Sequence, residues 1–323
     1  MEIDAVITWV DGNEEKLSKK RKSYVSDNNK DESTNKTRFN QVDELSIVVK
    51  SIFKFAPFVK KIYILTDNQI PKIIIESKYW NHRFRDRIEL IDHTEVFINH
   101  LDVLPTFNSS TIETMIQYIN GLSEHFIYFN DDMFLIKPTK IEDWFLNGKP
   151  IIRGNWLTQP NQIWYKKIRN FLFPSKLKKF SFTRSQAISA NIVGFKKYYF
   201  RTYHLPRALN KNILKNYFKK NPKLLKNQIK HRFRNPDQFI SYSLIWHHSI
   251  NNSMAIISNQ LRLKEINIRS STSTRIILKK IQNAIDSEDI LFLNLQSLDL
   301  LDTSSIELVK EILQKITNIN LTK

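Results

Sequence analysis

Four short runs of β-branched and aromatic residues frame this chain, because each closes on polar side chains. Ile3 to Val10 ends at Asp11-Gly12, and Lys60 to Thr66 (KKIYILT) ends at Asp67-Asn68. Arg87 to Ile91 ends at Asp92-His93, and His125 to Asn130 (HFIYFN) at Asp131-Asp132. Branching and alternation predict strands. Between them lie segments of helical spacing. One carries Leu45, Val48, Val49, Ile52 and Phe53 before the stop at Pro57; another runs from Ser109 to Tyr118, capped by Ser109 or Ser110, with Glu113 in its first turn. Strands interspersed with helices predict an open α/β sheet. Ligands of such sheets bind beyond the carboxyl ends of the strands, which sets the four polar pairs along one rim.

With 323 residues the chain has room for more than one unit. We divide it into an α/β core over 1–150, a basic and mostly helical part over 151–266, and a C-terminal segment over 267–323. The second part lacks alternation long enough for another sheet. A 41% hydrophobic content is enough for a sizeable core. No apolar run approaches the roughly 20 residues that span a bilayer. Glu2 and Asp4 stand where a secretory signal carries Lys or Arg. The absence of cysteine excludes disulfides, thiolate metal sites and a cysteine nucleophile. The five glycines, Gly12, Gly121, Gly148, Gly154 and Gly194, are scattered. Neither a Walker A loop nor a GxGxxG turn can be built from them, so any phosphate must be held by side chains.

The net charge is +18. Between Ile151 and Ile240 about twenty Lys and Arg face a single acid, Asp237. A coding bias towards lysine accounts for part of the excess but not for the missing acids. The imbalance implies an anionic partner: a nucleic acid, a lipid surface or a phosphorylated substrate.

Several motifs bear on chemistry, and each has a plainer reading beside it. Asp131 and Asp132 in FNDDMFL are adjacent carboxylates at a strand end, where a hard cation relieves their repulsion. Alternatively they are a helix cap and a solvated neighbour. Asp11 in TWVDGN is a site residue or one half of an Asp-Gly turn, and Trp9 reads as core. His204 in RTYHLPR has the chemistry of a general base towards a hydroxyl, or is a histidine in a basic loop. In HRFRNPDQF, Arg232 and Arg234 offer forks that match phosphate, with Asp237 placed to orient one of them, or they belong to a solvated face. Asn108, Ser109 and Ser110 at a helix start suit an anion or a sugar hydroxyl, or simply cap the helix.

Taken together, these segments resemble the Stealth family of sugar-phosphate transferases. IDAVITWVDGN (3–13) is similar to its first block. The run from Arg38 through ELSIVVKSIFKFAPFVKKIYILTDNQIP, LPTFNSSTIE and GLSEHFIYFNDDMFL is similar to the second. His204-Leu205-Pro206 and RFRNPDQF (232–239) resemble the third and fourth. Lys50 departs from the arginine expected there, and the segment after Ile266 matches only loosely.

The resemblance implies a Rossmann-like, GT-A-like open sheet with a basic, mostly helical second half. It implies transfer of a hexose 1-phosphate, of the N-acetylhexosamine kind, from a UDP-sugar to an acceptor hydroxyl, with release of UMP. On that reading Asp131 and Asp132 hold Mg²⁺ or Mn²⁺, Arg232 and Arg234 neutralise the phosphoryl group, His204 takes the acceptor proton and Asp237 orients an arginine. Asp11 lies by the donor. Trp9, Gly12, Arg38, Asn68, Asn108, Ser109 and Asn130 bind substrate. The acceptor is a glycan or lipid-linked glycan, handled in the bacterial cytoplasm at the inner face of the inner membrane, with contact to an anionic membrane surface and no nucleic acid. Two other classes compete: a metal-dependent glycosyltransferase releasing UDP, and a basic module binding nucleic acid or membrane. Steep salt dependence marks the nucleic-acid form of the latter.

Overall fold

The computed structural model describes residues 1–25, 39–173, 179–260 and 262–322. Its centre is a five-stranded sheet. Strands β1 (Ile3–Thr8), β2 (Val59–Thr66), β3 (Ile88–Asp92) and β4 (His125–Asn130) are parallel, in the order β4-β1-β2-β3. A fifth strand, Arg207–Asn210, pairs antiparallel with β4 at the edge, Arg207 opposite Tyr128. The expected α/β open sheet is therefore what forms, with strand bounds within a residue or two of those read from the sequence.

Register brings the polar termini level. Thr8 lies opposite both Leu65 and Asn130, and Thr66 lies opposite Asp92. From β1 the chain adds β2 and β3 on one side and then returns to place β4 on the other, so the order reverses between β1 and β4. Such a switch point leaves a crevice at the strand ends.

β1 is buried on both faces, which explains its unbroken run: Ile3, Ala5, Val6 and Ile7 are all fully enclosed. Ile7 packs in one core with Val48, Ile52, Phe129 and Phe292; Val6 packs in the other with Phe126, Tyr128, Phe200 and Trp246. Burying each large apolar side chain contributes about 1.5–3 kcal/mol. Asp4, the acid that broke the signal-like pattern, is buried and satisfied, accepting from the N–H groups of Lys61 (3.1 Å) and Ser123 (2.6 Å).

Strand pairing crosses the boundary placed near 266. Leu263–Asn267 runs parallel to Phe292–Gln296, which pairs antiparallel with Met133–Leu135 just after β4. LFLNLQ in the C-terminal segment is thus a strand of the core, and helix Thr303–Thr317 packs on helix Glu44–Phe55. The basic part is mostly helical, with helices Phe182–Ile192, Lys211–Lys220, Pro222–Ile229 and Ser241–Asn251. It also holds short pairings that alternation did not disclose, such as Asn155–Thr158 with Tyr198–Arg201. Strands of four residues are too short for a periodicity to register. No helix among the described residues is long and apolar enough to cross a membrane.

Candidate active site

At the β1/β4 switch point lies a cavity of about 420 Å³. Asn130, Asp131 and Asp132 enter from the end of β4, and Glu44 from the start of its helix. Ser109 and Glu113 come from helix Ser109–Met115. Arg201, Tyr203, His204, Arg207, Arg234 and Tyr242 come from the basic part. Residues separated by more than a hundred positions thus share one wall-to-wall space. A smaller cavity of about 150 Å³ opens from the same place, sharing Val10, Ser109, Asn130, Asp131 and Arg234 with the first. It is lined by Trp9, Phe39, Phe107, Asp67, His93 and Thr106 as well. Among the described residues, Trp9 Nε1, His93 Nδ1 and Thr106 Oγ1 are buried without a hydrogen-bond partner.

The charges are arranged in two groups. On the acidic side, burial and the neighbouring Asp132 push Asp131 up to about 7. Burial, with Asp131 next in weight, also drives Glu44 well above the ordinary carboxyl range, although it accepts the Val42 N–H at 3.1 Å. Asp132 goes the other way. Burial would raise it, but His204, Asn294 and Arg207 together hold it below its ordinary value. Both of its carboxylate oxygens lie 3.2 Å from His204 Nε2.

On the basic side Arg207 is buried beside the edge of β4. It donates from Nη1 to Asn130 Oδ1 at 3.0 Å and lies 4.1 Å over the Tyr242 ring. Its Nη2 is 3.5 Å from His204 Nδ1. Arg234 donates to Ser109 Oγ at 2.8 Å and lies over Phe180. Between the two groups sits Glu113. Burial raises its pKa against the opposing pull of Arg207 and Arg234, and it accepts from Tyr128 Oη at 3.2 Å.

Trp9, Ser109, Asn130, Asp131, Asp132, His204 and Arg234 are therefore gathered at the two cavities. The other expected residues are placed differently. Arg232 points away from the cavity: its Nε donates to the Pro105 carbonyl at 2.7 Å and its Nη2 to that of Leu104 at 3.2 Å, so its fork is spent on backbone. Asp237 is exposed, lines neither cavity and lies within electrostatic reach of Arg184. The organiser of that loop is its neighbour Gln238, whose Oε1 accepts from Asn108 Nδ2 (2.8 Å) and the Asn235 N–H (3.0 Å).

Asn108, not Ser109 or Ser110, is the helix cap. Its oxygen accepts the Ser110 N–H, while its Nδ2 faces the His231 and Phe233 carbonyls as well as Gln238. Fully buried and fully engaged, it has nothing left for a sugar. Asp11 turns its carboxylate to the Asn13 N–H at 2.9 Å and lines neither cavity. Gly12 is needed for close approach, since a Cβ there would run into the Phe39 backbone, to which its N–H donates. Asn68 occupies a left-handed turn (φ 53°) and donates its N–H to Asp92, away from both cavities. Arg38 lies outside the described residues.

Glu44, Arg207, Tyr242 and Gln238 do not stand out in the sequence, and Glu113, expected only as a first-turn acid, lies beyond the first turn of helix Ser109–Met115 and lines the cavity instead. The nearest signal was Arg207, which stands three residues after His204 in the RTYHLPR motif.

Among the described residues no group of three or more His, Cys, Asp and Glu side chains is arranged to hold an ion by itself. The pair still suits a hard divalent cation. Mg²⁺ takes one or two carboxylates and completes its shell with water and substrate phosphate, and Asp131 would be relieved of its neighbour's charge by such an ion.

Comparison with known proteins bears on part of this arrangement. The family described as Stealth protein CR2, conserved region 2, matches residues 38–151. The capsular polysaccharide phosphotransferase fcs1 of Haemophilus influenzae is 43% identical over 145 residues, 44% of this chain and 37% of that protein. The capsular polysaccharide phosphotransferase LcbA of Neisseria meningitidis is 40% identical over 146 residues, again 44% of this chain and 37% of its own. The matches thus span well under half the length of these relatives. Among solved structures, the galactosyltransferase LgtC in complex with donor and acceptor sugar analogs aligns over 98% of this chain and 97% of its own, at 11% identity and a TM-score of 0.45.

Proposed function

From the premise that this chain belongs to the Stealth proteins through their conserved region 2, we propose that it is a sugar-1-phosphate transferase of capsule-type polysaccharide synthesis. The donor is a UDP-sugar, of the N-acetylhexosamine class, and the acceptor is a hydroxyl of a glycan or lipid-linked glycan. UMP is released, and the work is done in the bacterial cytoplasm at the inner face of the inner membrane. One observation carries this reading: the carboxylates of Glu44, Asp131 and Asp132 share a single cavity with the guanidinium groups of buried Arg207 and half-buried Arg234. A cation would relieve the carboxylates, and the diphosphate that it accompanies would meet the arginines already held in place by Asn130 and Ser109.

Phosphoryl transfer asks mainly for positioning and charge stabilisation. The acceptor oxygen bonds to the phosphorus that carries the sugar, and the bond from that phosphorus to the bridging oxygen breaks. The bridging oxygen leaves with UMP and keeps the bonding electrons. Arg234 and Arg207 neutralise charge on the phosphoryl oxygens, and Ser109 and Asn130 set the direction of those two forks. A divalent ion held by Asp131 and Asp132 would supply charge neutralisation at the diphosphate.

The acceptor proton goes to His204. Of its two contacts, Nδ1 to Arg207 at 3.5 Å is the weaker, and it yields more readily than the pair of 3.2 Å contacts from Nε2 to Asp132. Asp132 then stabilises the imidazolium as it forms, as a carboxylate does in an Asp–His pair. The smaller cavity, with Trp9, Phe39 and Phe107 around the unpartnered atoms of Trp9, His93 and Thr106, suits the uracil base.

Product analysis tests the proposal. The protein is incubated with UDP-hexoses and UDP-N-acetylhexosamines, Mg²⁺ and a capsule oligosaccharide. UMP together with a phosphodiester signal in phosphorus-31 spectra supports it. UDP in place of UMP moves the protein to the glycosyltransferases and removes the arginine–phosphoryl mechanism.

A further inference from the structure

Helix Trp164–Leu172 is built the wrong way round for a helix that packs on its own protein. Its large apolar residues fall at i, i+1, i+4, i+7 and i+8: Trp164, Tyr165, Ile168, Phe171 and Leu172. That spacing makes one face of an α-helix, the face a globular protein normally buries. Here those five side chains are 72, 53, 50, 85 and 60% exposed, and Phe173 directly after them is 52% exposed. Helix Glu44–Phe55 shows the ordinary outcome, with Leu45, Val48, Val49 and Ile52 at 1% or less. Single exposed apolar residues need no explanation; six within ten positions do.

The sequence between these residues indicates what covers the face. Lys166, Lys167 and Arg169 occupy the intervening positions, Lys176, Lys178 and Lys179 follow, and no Asp or Glu occurs from 151 to 236. Aromatic and aliphatic residues on one side and cations on the other are the composition of a helix that lies in a bilayer interface, its apolar face among the acyl chains and its cations at anionic headgroups. A second copy of this chain fits less well, because it would bring lysine against lysine on a molecule already at +18.

We propose that Trp164–Leu172 is an interfacial helix that seats the protein on an anionic lipid surface. Phe180 and Phe182, within ten or so residues past its end, line the larger cavity. The seat is therefore close along the chain to the site that would receive a lipid-linked acceptor. The inference names the element responsible for the membrane contact and does not depend on which reaction the cavity performs, since it is tested without substrate.

The full chain is sedimented with phosphatidylcholine vesicles made with and without phosphatidylglycerol. Expected is binding to the anionic vesicles and little to the neutral ones. The double variant Trp164→Ser, Phe171→Ser should weaken it by about tenfold or more, as loss of buried aromatic area requires, with an unchanged melting temperature because both side chains are exposed. Absence of binding to anionic vesicles overturns the proposal. So does equal binding by the double variant, which would assign attraction to overall charge. A concentration-dependent dimer that the double variant abolishes, in place of vesicle binding, would also overturn it and make the face a contact between copies.

Discussion

The acidic wall of the cavity comes from the segment that the family model matches, and its charges are at odds with one another; the basic wall comes from beyond that segment, and its cations already have company. Glu44 and Asp131 are both raised by burial and by nearby carboxylates. Arg207 has Asn130 and Tyr242, Arg234 has Ser109, and His204 has Asp132. One wall is preorganised and the other is frustrated. A preorganised donor set costs little reorganisation when an anion arrives, whereas a frustrated carboxylate set gains from any cation. The difference teaches that the two walls wait for different halves of one ligand.

Removing the group that touches both walls should have the largest effect. His204→Ala is expected to lower transfer by about 10²–10⁴-fold, the usual worth of a general base. Donor affinity measured by calorimetric titration should change little. A variant that keeps full turnover would assign His204 to Asp132 as a structural partner only.

The basic wall is sharpened by comparing two arginines two positions apart, one on the cavity and one turned away from it. Arg234→Ala should reduce turnover by about 10²–10³-fold with a modest change in melting temperature. Arg232→Ala should leave turnover near wild type and cost about 1–3 kcal/mol in denaturant unfolding, because the Pro105 and Leu104 carbonyls lose their donor. Reversal of this pattern would break the division of labour between them.

That pair also shows where sequence reasoning stops. In extended chain residues two apart point to the same side, which would aim Arg232 and Arg234 together, but the chain bends at Arg232 and Phe233, and the two guanidinium groups part. The sequence could nominate both and could not say which faces inward. Strand ends were legible because β-branched runs stop abruptly at polar pairs, and Asp131 and Asp132 followed from that. Arg207 was not, since a cation opening a short edge strand looks like any surface arginine until Tyr242 covers it. Glu44 read as the first residue of a helix; only the return of β4 alongside sets it near Asp131. Asn108 carried the right chemistry for a ligand, but three acceptors from the 231–238 loop consume it.

The basic wall has a further dependence, on pH. His247 Nε2 accepts the Phe200 N–H at 2.8 Å and its Nδ1 donates to the Ser243 carbonyl at 2.6 Å, so the neutral ring fixes the strand leading to His204. Burial pulls its pKa down to about 4. The unfolded chain therefore takes up a proton that the folded one refuses between about pH 6.5 and 4, and stability falls as pH falls through that window. His93, lowered to about 4 mainly by burial, contributes in the same direction. By pH 5 the His247 share should be about 1–2 kcal/mol. His247→Gln, less stable at neutral pH, should show a flatter pH dependence of urea unfolding over that range. An unchanged slope would place the acid sensitivity elsewhere.

The smallest effect separates frustration from simple burial on the acidic wall. Asp131→Asn removes one charge of a repelling pair while keeping the shape of the side chain. In metal-free protein at pH 8 the change should raise the melting temperature by about 1 °C, corresponding to somewhat under 1 kcal/mol for a chain of this length. Glu44, no longer opposed by Asp131, should ionise at lower pH, because the strongest of its repelling neighbours is gone. Added Mg²⁺ should stabilise the wild type in the same assay and stabilise the variant much less, because the ion then meets one carboxylate in place of two. If the variant is destabilised without metal, Asp131 is held by contacts that its charge serves, and the acidic wall is organised in the same sense as the basic one. If the variant is stabilised but Mg²⁺ acts equally on both proteins, the frustration stands and the cation is held by Asp132 or Glu44 instead. The two readouts together therefore locate the strain and the ion independently, which turnover alone would not do.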